Sequence, residues 1–161
     1  MDTMQDTPLI RPATFEDVCA MLAFDAYASS HPERQYFLEE SVDKQQCWVA
    51  LRAGAVIGYV VLTYHFFDHG FVSLVVVAPG HQRQGVASRL LAAAEAACTT
   101  AKLFVSTNQS NLASRRLILK AGFVPSGVIE NLDEHDPELV FQAHSRLNGG
   151  QGTRARLIGL S

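Results

Sequence analysis

The chain has 161 residues, of which 48% are hydrophobic and 18% charged, and its net charge at neutral pH is −3. This length suits one globular domain, and the composition excludes an intrinsically disordered chain. The small negative charge gives no electrostatic reason to expect binding to nucleic acid or to an anionic membrane.

The N-terminal segment and the cysteines indicate where the protein is located and whether it binds a metal. The opening segment MDTMQDTPLI lacks the basic and apolar parts of a signal peptide, and the longest apolar run, at 71–79, is too short to span a bilayer. Cys19, Cys47 and Cys98 are widely spaced and show no metal-ligand pattern, so we expect buried, reduced thiols and no metal. These features predict a cytoplasmic protein.

The chain begins with a predicted strand and helix. A short strand at 9–12 precedes a helix that Thr14 caps, because Asp17 stands at the third position of a capping box. The apolar stripe of this helix consists of Val18, Met21, Leu22 and Ala26.

A second helix and a hairpin come next. The helix is expected at 33–44, with Tyr36, Phe37 and Val42 as its buried residues. Two β-branched and aromatic runs, at 47–52 and 56–67, predict a hairpin that turns at Ala53-Gly54.

The second half of the sequence alternates strands and helices. A continuous apolar strand at 71–78, buried on both faces, leads into an amphipathic helix at 85–98 and a strand at 102–106. This βαβ unit predicts two parallel strands. A helix follows at 112–121. Two closing strands, at 124–132 and 139–143, flank a polar loop at 133–138.

The order of these elements predicts an α/β fold with a mixed sheet. We expect a single domain over 1–161, with its core at about 8–147 and a Gly-rich tail at 148–161.

The segment that carries most information is PGHQRQGVAS at 79–88, which joins the apolar strand to the amphipathic helix. A loop that enters a helix presents unpaired backbone N–H groups and the positive end of the helix dipole, and together these bind phosphate. Gly85 and Ala87 permit close approach of an anion, and Arg83 and Arg89 add positive charge. The alternative is an ordinary strand-to-helix turn.

Other phosphate motifs do not fit this segment. Gly80 and Gly85 have P-loop spacing, but Val86 and Ala87 occupy the positions that require Lys and Ser or Thr. The dinucleotide pattern G-x-G-x-x-G is absent as well.

Gln82-x-x-Gly85-x-Ala87 resembles the R/Q-x-x-G-x-G/A signature of the GNAT superfamily of N-acetyltransferases. VVVAP precedes it, RLLAAAE follows it, and Asn111 and KAGF at 120–123 stand at the family's usual interval. The resemblance covers about residues 8–147. It implies a mostly antiparallel central sheet with a βαβ unit that binds coenzyme A and with flanking helices. The implied reaction is transfer of an acetyl group from acetyl-CoA to a primary amine.

The resemblance also implies a set of residues that bind the cofactor. The pyrophosphate would lie on the backbone amides of Arg83, Gln84, Gly85, Val86, Ala87 and Ser88, beside Gln82. The pantetheine arm would pair with Val75, Val76 and Val77, in a gap where that strand parts from the strand at 102–106. Asn111 and Ser114 would face the cofactor, although Asn111 also suits a helix N-cap.

The sequence departs from the family pattern at two catalytic positions. The tyrosine that often acts as the general acid is replaced by Ile118, and the glutamate base of some relatives aligns with Phe71. Neither loss excludes catalysis, since a thiol of pKa ~8.5 leaves without full protonation. The substitute candidates are His65, Asp68 and Glu130 as bases and Tyr64 and Ser114 as acids. The alternative for each is a structural role.

Three functions stay open at this stage: an N-acetyltransferase, a non-catalytic domain that binds or senses acyl-CoA, and an interaction module that uses only the fold. The expected partner is a small-molecule or peptide amine, and a homodimer is open. Five carboxylates lie within 130–138, which favours a small cationic acceptor beside an acidic rim. The alternative is a solvated hairpin loop whose turn Asp136-Pro137 sets.

Overall fold

The computed structural model describes residues 6–144, so the tail predicted at 148–161 lies outside the described residues. The strands are β1 (Leu9–Pro12), β2 (Cys47–Arg52), β3 (Ala55–Phe66), β4 (His69–Val77), β5 (Lys102–Asn108), β6 (Val124–Ile129) and β7 (Glu138–His144). The α-helices are α1 (Val18–Phe24), α2 (Glu33–Asp43), α3 (Val86–Ala97) and α4 (Leu112–Lys120). Short 3₁₀ turns occupy Phe15–Asp17 and Ala26–Ser29.

The strands form one sheet in the order β1-β2-β3-β4-β5-β7-β6. All of its neighbouring strands run antiparallel except β4 and β5, which are parallel because α3 carries the chain back before β5 begins. The predicted α/β fold, with a mixed and mostly antiparallel sheet and one βαβ unit, is confirmed.

Side chains on the two faces of the sheet build two separate hydrophobic layers. The alternation of β3 shows the division, because Val60 and Leu62 face α3 and α4 whereas Tyr59 and Val61 face α1 and α2. The stripe predicted for α3 is confirmed, with Val86, Leu90, Leu91 and Ala94 buried. Gly58 permits the close approach of α3, since a Cβ at this position would lie 3.1 Å from Leu90 Cδ1.

Five predictions about burial or element boundaries were wrong, and one of them is the burial of Cys19, which is exposed. Tyr36 is 70% exposed, because the inward face of α2 is formed by Leu38, Ser41 and Val42. Ala26 lies outside the first helix, which ends at Phe24. In the strand predicted at 71–78 only Val72 and Ala78 are buried. Strand β6 ends at Ile129, before the predicted end at 132, and all six of its residues are exposed.

The predicted capping box before α1 is present and is strengthened by an arginine. Asp17 Oδ2 accepts a hydrogen bond from the Thr14 backbone N–H at 2.8 Å, and the Asp17 backbone N–H donates to Thr14 O at 3.0 Å. Arg11 donates to both carboxylate oxygens of Asp17, at 2.7 and 2.9 Å. The Arg11 hydrogen bond is the main reason that the pKa of Asp17 is lowered from its usual 3.8, since burial acts in the opposite direction.

The lowered pKa makes a pH-dependent contribution to stability. The ionised carboxylate stabilises the fold fully above the unfolded value of 3.8, and this stabilisation is lost as pH falls through the lower folded pKa. We expect Asp17→Asn to lower the free energy of unfolding by roughly 1–3 kcal/mol at pH 7. In urea titrations the gap to the wild-type protein should narrow below pH 3.8.

Glu16→Gln is the matched control for this prediction, because it removes an exposed carboxylate from the same turn. Its free energy of unfolding should stay within about 0.5 kcal/mol of wild type at pH 7. Equal losses in the two variants would contradict the role assigned to the Arg11–Asp17 pair.

Candidate active site

The sheet opens between its two parallel strands. β4 and β5 pair over only three rows, Gly70↔Leu103, Phe71↔Phe104 and Val72↔Val105. Beyond Val72, β4 continues to pair with β3 and β5 with β7, but the two strands no longer pair with each other. The edge of β4 that faces the gap therefore carries backbone groups without a strand partner, and the predicted parting of these strands is confirmed.

A β-bulge in β4 lies at the point where the gap begins. Leu62 pairs with Val72 and Val61 pairs with Leu74, so Ser73 is the extra residue. The Ser73 hydroxyl lies 2.7 Å from the Thr63 hydroxyl on β3. The bulge thus places a polar side chain beside the gap in an otherwise apolar strand.

A small cavity of about 120 Å³ occupies the gap. Its polar lining comes from Ser73 on β4, Ser106 on β5 and Ser114 on α4. The rest of the wall is apolar: Val72, Leu74, Val75, Leu91, Val105, Leu117 and Ile118. The cavity therefore presents hydroxyl oxygens from three elements within an otherwise apolar wall.

A larger cavity of about 560 Å³ shares Val75, Ser114 and Leu117 with the small one and extends to the N-terminus of α3. Nine of the residues predicted to bind the cofactor line it: Val75, Val77, Gln82, Arg83, Gly85, Val86, Ala87, Ser88 and Ser114. The Val76 side chain instead packs on the α1–α2 face, and neither Gln84 nor Asn111 lines the cavity.

The turn between β4 and α3 has a backbone conformation that favours glycine at two positions. Gly80 and Gly85 have φ values of 88° and 79°, in the left-handed region that glycine adopts without strain. Gln82 Nε2 donates to Val77 O at 3.3 Å, and Gln84 Nε2 donates to Gly80 O at 3.1 Å. The two glutamines hold the turn in shape at the N-terminus of a twelve-residue helix.

Arg52 reaches this turn from the end of β2. Its Nη1 donates to Gln84 Oε1 at 2.6 Å and lies 3.1 Å from His81 Nδ1. Because a guanidinium can only donate, Nδ1 accepts, and the His81 ring carries its proton on Nε2. His81 lines the larger cavity, so Arg52 fixes both the turn and a ring that faces this cavity.

Helix α4 forms the other wall of the site. Asn111 Oδ1 accepts from the Ser114 backbone N–H at 3.1 Å, which confirms the N-cap interpretation of Asn111. Ser114, Leu117 and Lys120 lie at helical spacing along the larger cavity. Ile118 is 3% exposed and lines the small cavity, where it supplies no proton.

Four of the candidate acids and bases, Tyr64, His65, Asp68 and Glu130, do not line the small cavity. The Tyr64 hydroxyl accepts from the Thr99 backbone N–H at 3.1 Å, just beyond the end of α3. His65 and Asp68 stand at the β3–β4 turn, at the end of the sheet where β4 and β5 still pair. Asp68 is five residues from Ser73, about 16 Å at ~3.3 Å per residue. Glu130 is exposed after β6, at the opposite end of the sheet.

The acidic loop at 130–138 is attached to its neighbours by hydrogen bonds. Asp133 Oδ2 accepts from Asn108 Nδ2 at 2.7 Å, and Asp136 Oδ1 accepts from the Ser110 backbone N–H at 3.0 Å. These bonds attach the loop to the end of β5, where the gap is open. Glu130 and Glu134 are exposed at this loop.

Several lining residues were missed by the sequence analysis. Leu117 and Lys120 follow Ser114 at three-residue steps, so helical periodicity would have found them. Ser73 has no local signal, because its role depends on strand register, and the same holds for Arg52, which holds the turn without lining either cavity. Within residues 6–144 no group of His, Cys, Asp and Glu could hold a metal ion, and no helix is long and apolar enough to cross a membrane.

Comparison with known proteins agrees with this geometry. The model of the acetyltransferase (GNAT) family matches residues 15–123. None of the curated proteins matches the sequence. A GNAT family acetyltransferase from Bacillus cereus ATCC 10987 is 31% identical, with a TM-score of 0.81 over 86% of this chain and 97% of that one.

Two further solved structures share the fold. A ribosomal-protein-alanine N-acetyltransferase from Brucella melitensis is 25% identical, with a TM-score of 0.69 over 84% of this chain and 99% of that one. The protein yncA from Salmonella typhimurium, solved with its cofactor acetyl-CoA, is 19% identical, with a TM-score of 0.72 over 90% and 98% of the two chains. The chain belongs to the GNAT family of acetyltransferases, and acetyl-CoA is its acyl donor.

Proposed function

We propose that the protein is an N-acetyltransferase that transfers the acetyl group of acetyl-CoA to a primary amine in the cytoplasm. The observation that carries the proposal is the pair of connected cavities, one at the phosphate-binding turn and one in the gap between β4 and β5. A relative named as an N-acetyltransferase of ribosomal-protein alanine supports nitrogen as the accepting atom.

We expect the donor to lie along both cavities. The backbone N–H groups at the start of α3, with Arg83 and His81 nearby, would hold the pyrophosphate. The unpaired edge of β4 at 73–77 would hydrogen-bond the pantetheine amides and polarise the thioester carbonyl. The small cavity would then receive the acetyl group.

The reaction needs a neutral amine and a leaving thiolate. A lysine-like amine of pKa ~10.4 is neutral in only about one molecule in a few thousand at pH 7, a cost of roughly 4–5 kcal/mol. The amine nitrogen attacks the carbonyl carbon, the C–S bond breaks, and the proton of the amine passes to solvent. Ser114 lines both cavities and would donate a hydrogen bond to the departing sulfur.

The acceptor that the site favours is a small cationic amine. Glu130 and Glu134 are exposed on the loop that Asp133 and Asp136 attach to the open end of the gap. Carboxylates at this position would raise the local concentration of a cation and orient its ammonium group.

The first prediction tests donor binding and acyl transfer together. Wild-type protein should show an acetyl-CoA thermal shift and should release free thiol with at least one primary amine of a panel. Gly85→Asp should abolish both, because it places a carboxylate against the pyrophosphate. Gly85→Asn is the matched control: its side chain has the same size as that of Asp but no charge, and Asn tolerates the positive φ of this position, so it should retain more of the thermal shift than Gly85→Asp.

The outcomes of this experiment separate the functions. A thermal shift without thiol release on any amine would identify a non-catalytic domain that binds acyl-CoA. The lack of any shift would leave only an interaction module, and an undiminished shift in Gly85→Asp would place the donor elsewhere.

A second prediction concerns the wall of α4. Ile118→Val should lower the free energy of unfolding by ~0.5–1.5 kcal/mol and change kcat less than threefold or so, because no proton comes from this position. Ser114→Ala should lower kcat about tenfold, as expected for the loss of one hydrogen bond to the transition state. Steady-state kinetics would check both, and a thousandfold loss in a well-folded Ile118→Val would contradict the assignment.

A third prediction concerns the acidic loop. Replacing both Glu130 and Glu134 by Gln should raise KM for a cationic acceptor several-fold at low salt and less at 0.15 M salt, since salt screens exposed charges over about 8 Å. KM for a neutral amine should not change.

The control with the same change in charge combines Glu16→Gln with Asp43→Asn, two exposed carboxylates on the α1–α2 side of the chain. An equal rise in KM for this control, or an unchanged KM in the Glu130 and Glu134 variant, would show that the loop does not attract the acceptor.

A further inference from the structure

Ser73 reaches the small cavity from the face of the sheet opposite to α3 and α4. Its partner Thr63 lies two residues beyond Val61, whose side chain packs on the α1–α2 face. Leu91, Ser114 and Ile118 reach the same cavity from the helices of the other face. The cavity therefore passes through the gap, and a second substrate can approach Ser73 without displacing a donor held beside α3 and α4.

The hydrogen-bonding direction of Ser73 follows from its neighbours. Thr63 Oγ1 lies 2.7 Å from Ser73 Oγ and 3.5 Å from the carbonyl oxygen of Phe71. The carbonyl can only accept, so the arrangement that uses both contacts has Thr63 donate to Phe71 O and Ser73 donate to Thr63. The Ser73 oxygen then presents lone pairs, and no proton, to the cavity.

We propose that Ser73, held by Thr63, binds the acceptor through one of its N–H groups and makes the enzyme selective for amines over alcohols. This inference rests on the proposed function. A neutral primary amine has two N–H groups, so it can donate one to Ser73 while its lone pair faces the thioester carbonyl. An alcohol can make the same contact only through the one proton that it must lose during the reaction.

Three variants test the inference with the best amine from the panel. Ser73→Ala should lower kcat/KM for the amine about tenfold, while the acetyl-CoA thermal shift and KM for acetyl-CoA stay within twofold or so of wild type. Thr63→Val should cause a similar loss, because Ser73 then loses the group that takes its proton. Thr63→Ser retains a hydroxyl and should restore kcat/KM to within about twofold of wild type.

The same variants should change the choice between acceptors. The ratio of thiol release with the amine to that with its alcohol analogue should fall in Ser73→Ala and Thr63→Val but not in Thr63→Ser. A loss of the acetyl-CoA thermal shift equal to the loss in kcat/KM, or no difference between Thr63→Val and Thr63→Ser, would overturn the inference.

The failure of the inference and that of the proposed function give different results. If the wild-type protein acetylates an amine and Ser73→Ala leaves kcat/KM for this amine unchanged, only the role of Ser73 is overturned. Wild-type protein that releases no thiol with any amine overturns both. Circular dichroism of each variant would confirm that the sheet is retained.

Discussion

The parting of β4 from β5 is the constraint on which the rest of the site depends. Two neighbouring strands of a sheet normally satisfy each other's backbone groups, and here they do so over three rows only. Each strand keeps its ladder on the other side, β4 with β3 and β5 with β7, so the sheet tolerates the opening. What remains is a row of directed hydrogen-bonding groups beside a cavity that helices α3 and α4 close on one face.

The turn between β4 and α3 also depends on contacts with other parts of the chain. Gly85 supplies the backbone conformation, but Gln82, Gln84 and Arg52 hold that conformation in place. Arg52 comes from β2, two strands away from the gap in the sheet. The turn is thus held in part by a contact from a distant strand, and under the proposed function this fixed shape would reduce the entropy lost on binding phosphate.

The fold and the turn between β4 and α3 could be predicted from the sequence because their signals are local. The periodicity of α3, the capping box of Thr14 and Asp17, and the Gln82–Ala87 motif all lie within one or two turns of chain. Tyr36 was misplaced because its helix has a weak apolar stripe, and Leu38 and Ser41 take the inward positions. Ser73 was missed for a different reason: a bulge is a property of two paired strands, and neither sequence alone specifies it. The position of His65 and Asp68 at the closed end likewise follows from the topology of the whole sheet.

The attachment of the acidic loop has a consequence for how such a protein can diversify. Asn108 and Ser110 fasten Asp133 and Asp136 to the end of β5, so the base of the loop is part of the sheet's scaffold. Glu134 and His135 project between these two anchors with their side chains 93% exposed. Substitutions at the tip can therefore occur while the anchoring hydrogen bonds keep the base of the loop in place. Under the proposed function, the choice of acceptor would then evolve separately from the residues that bind the donor.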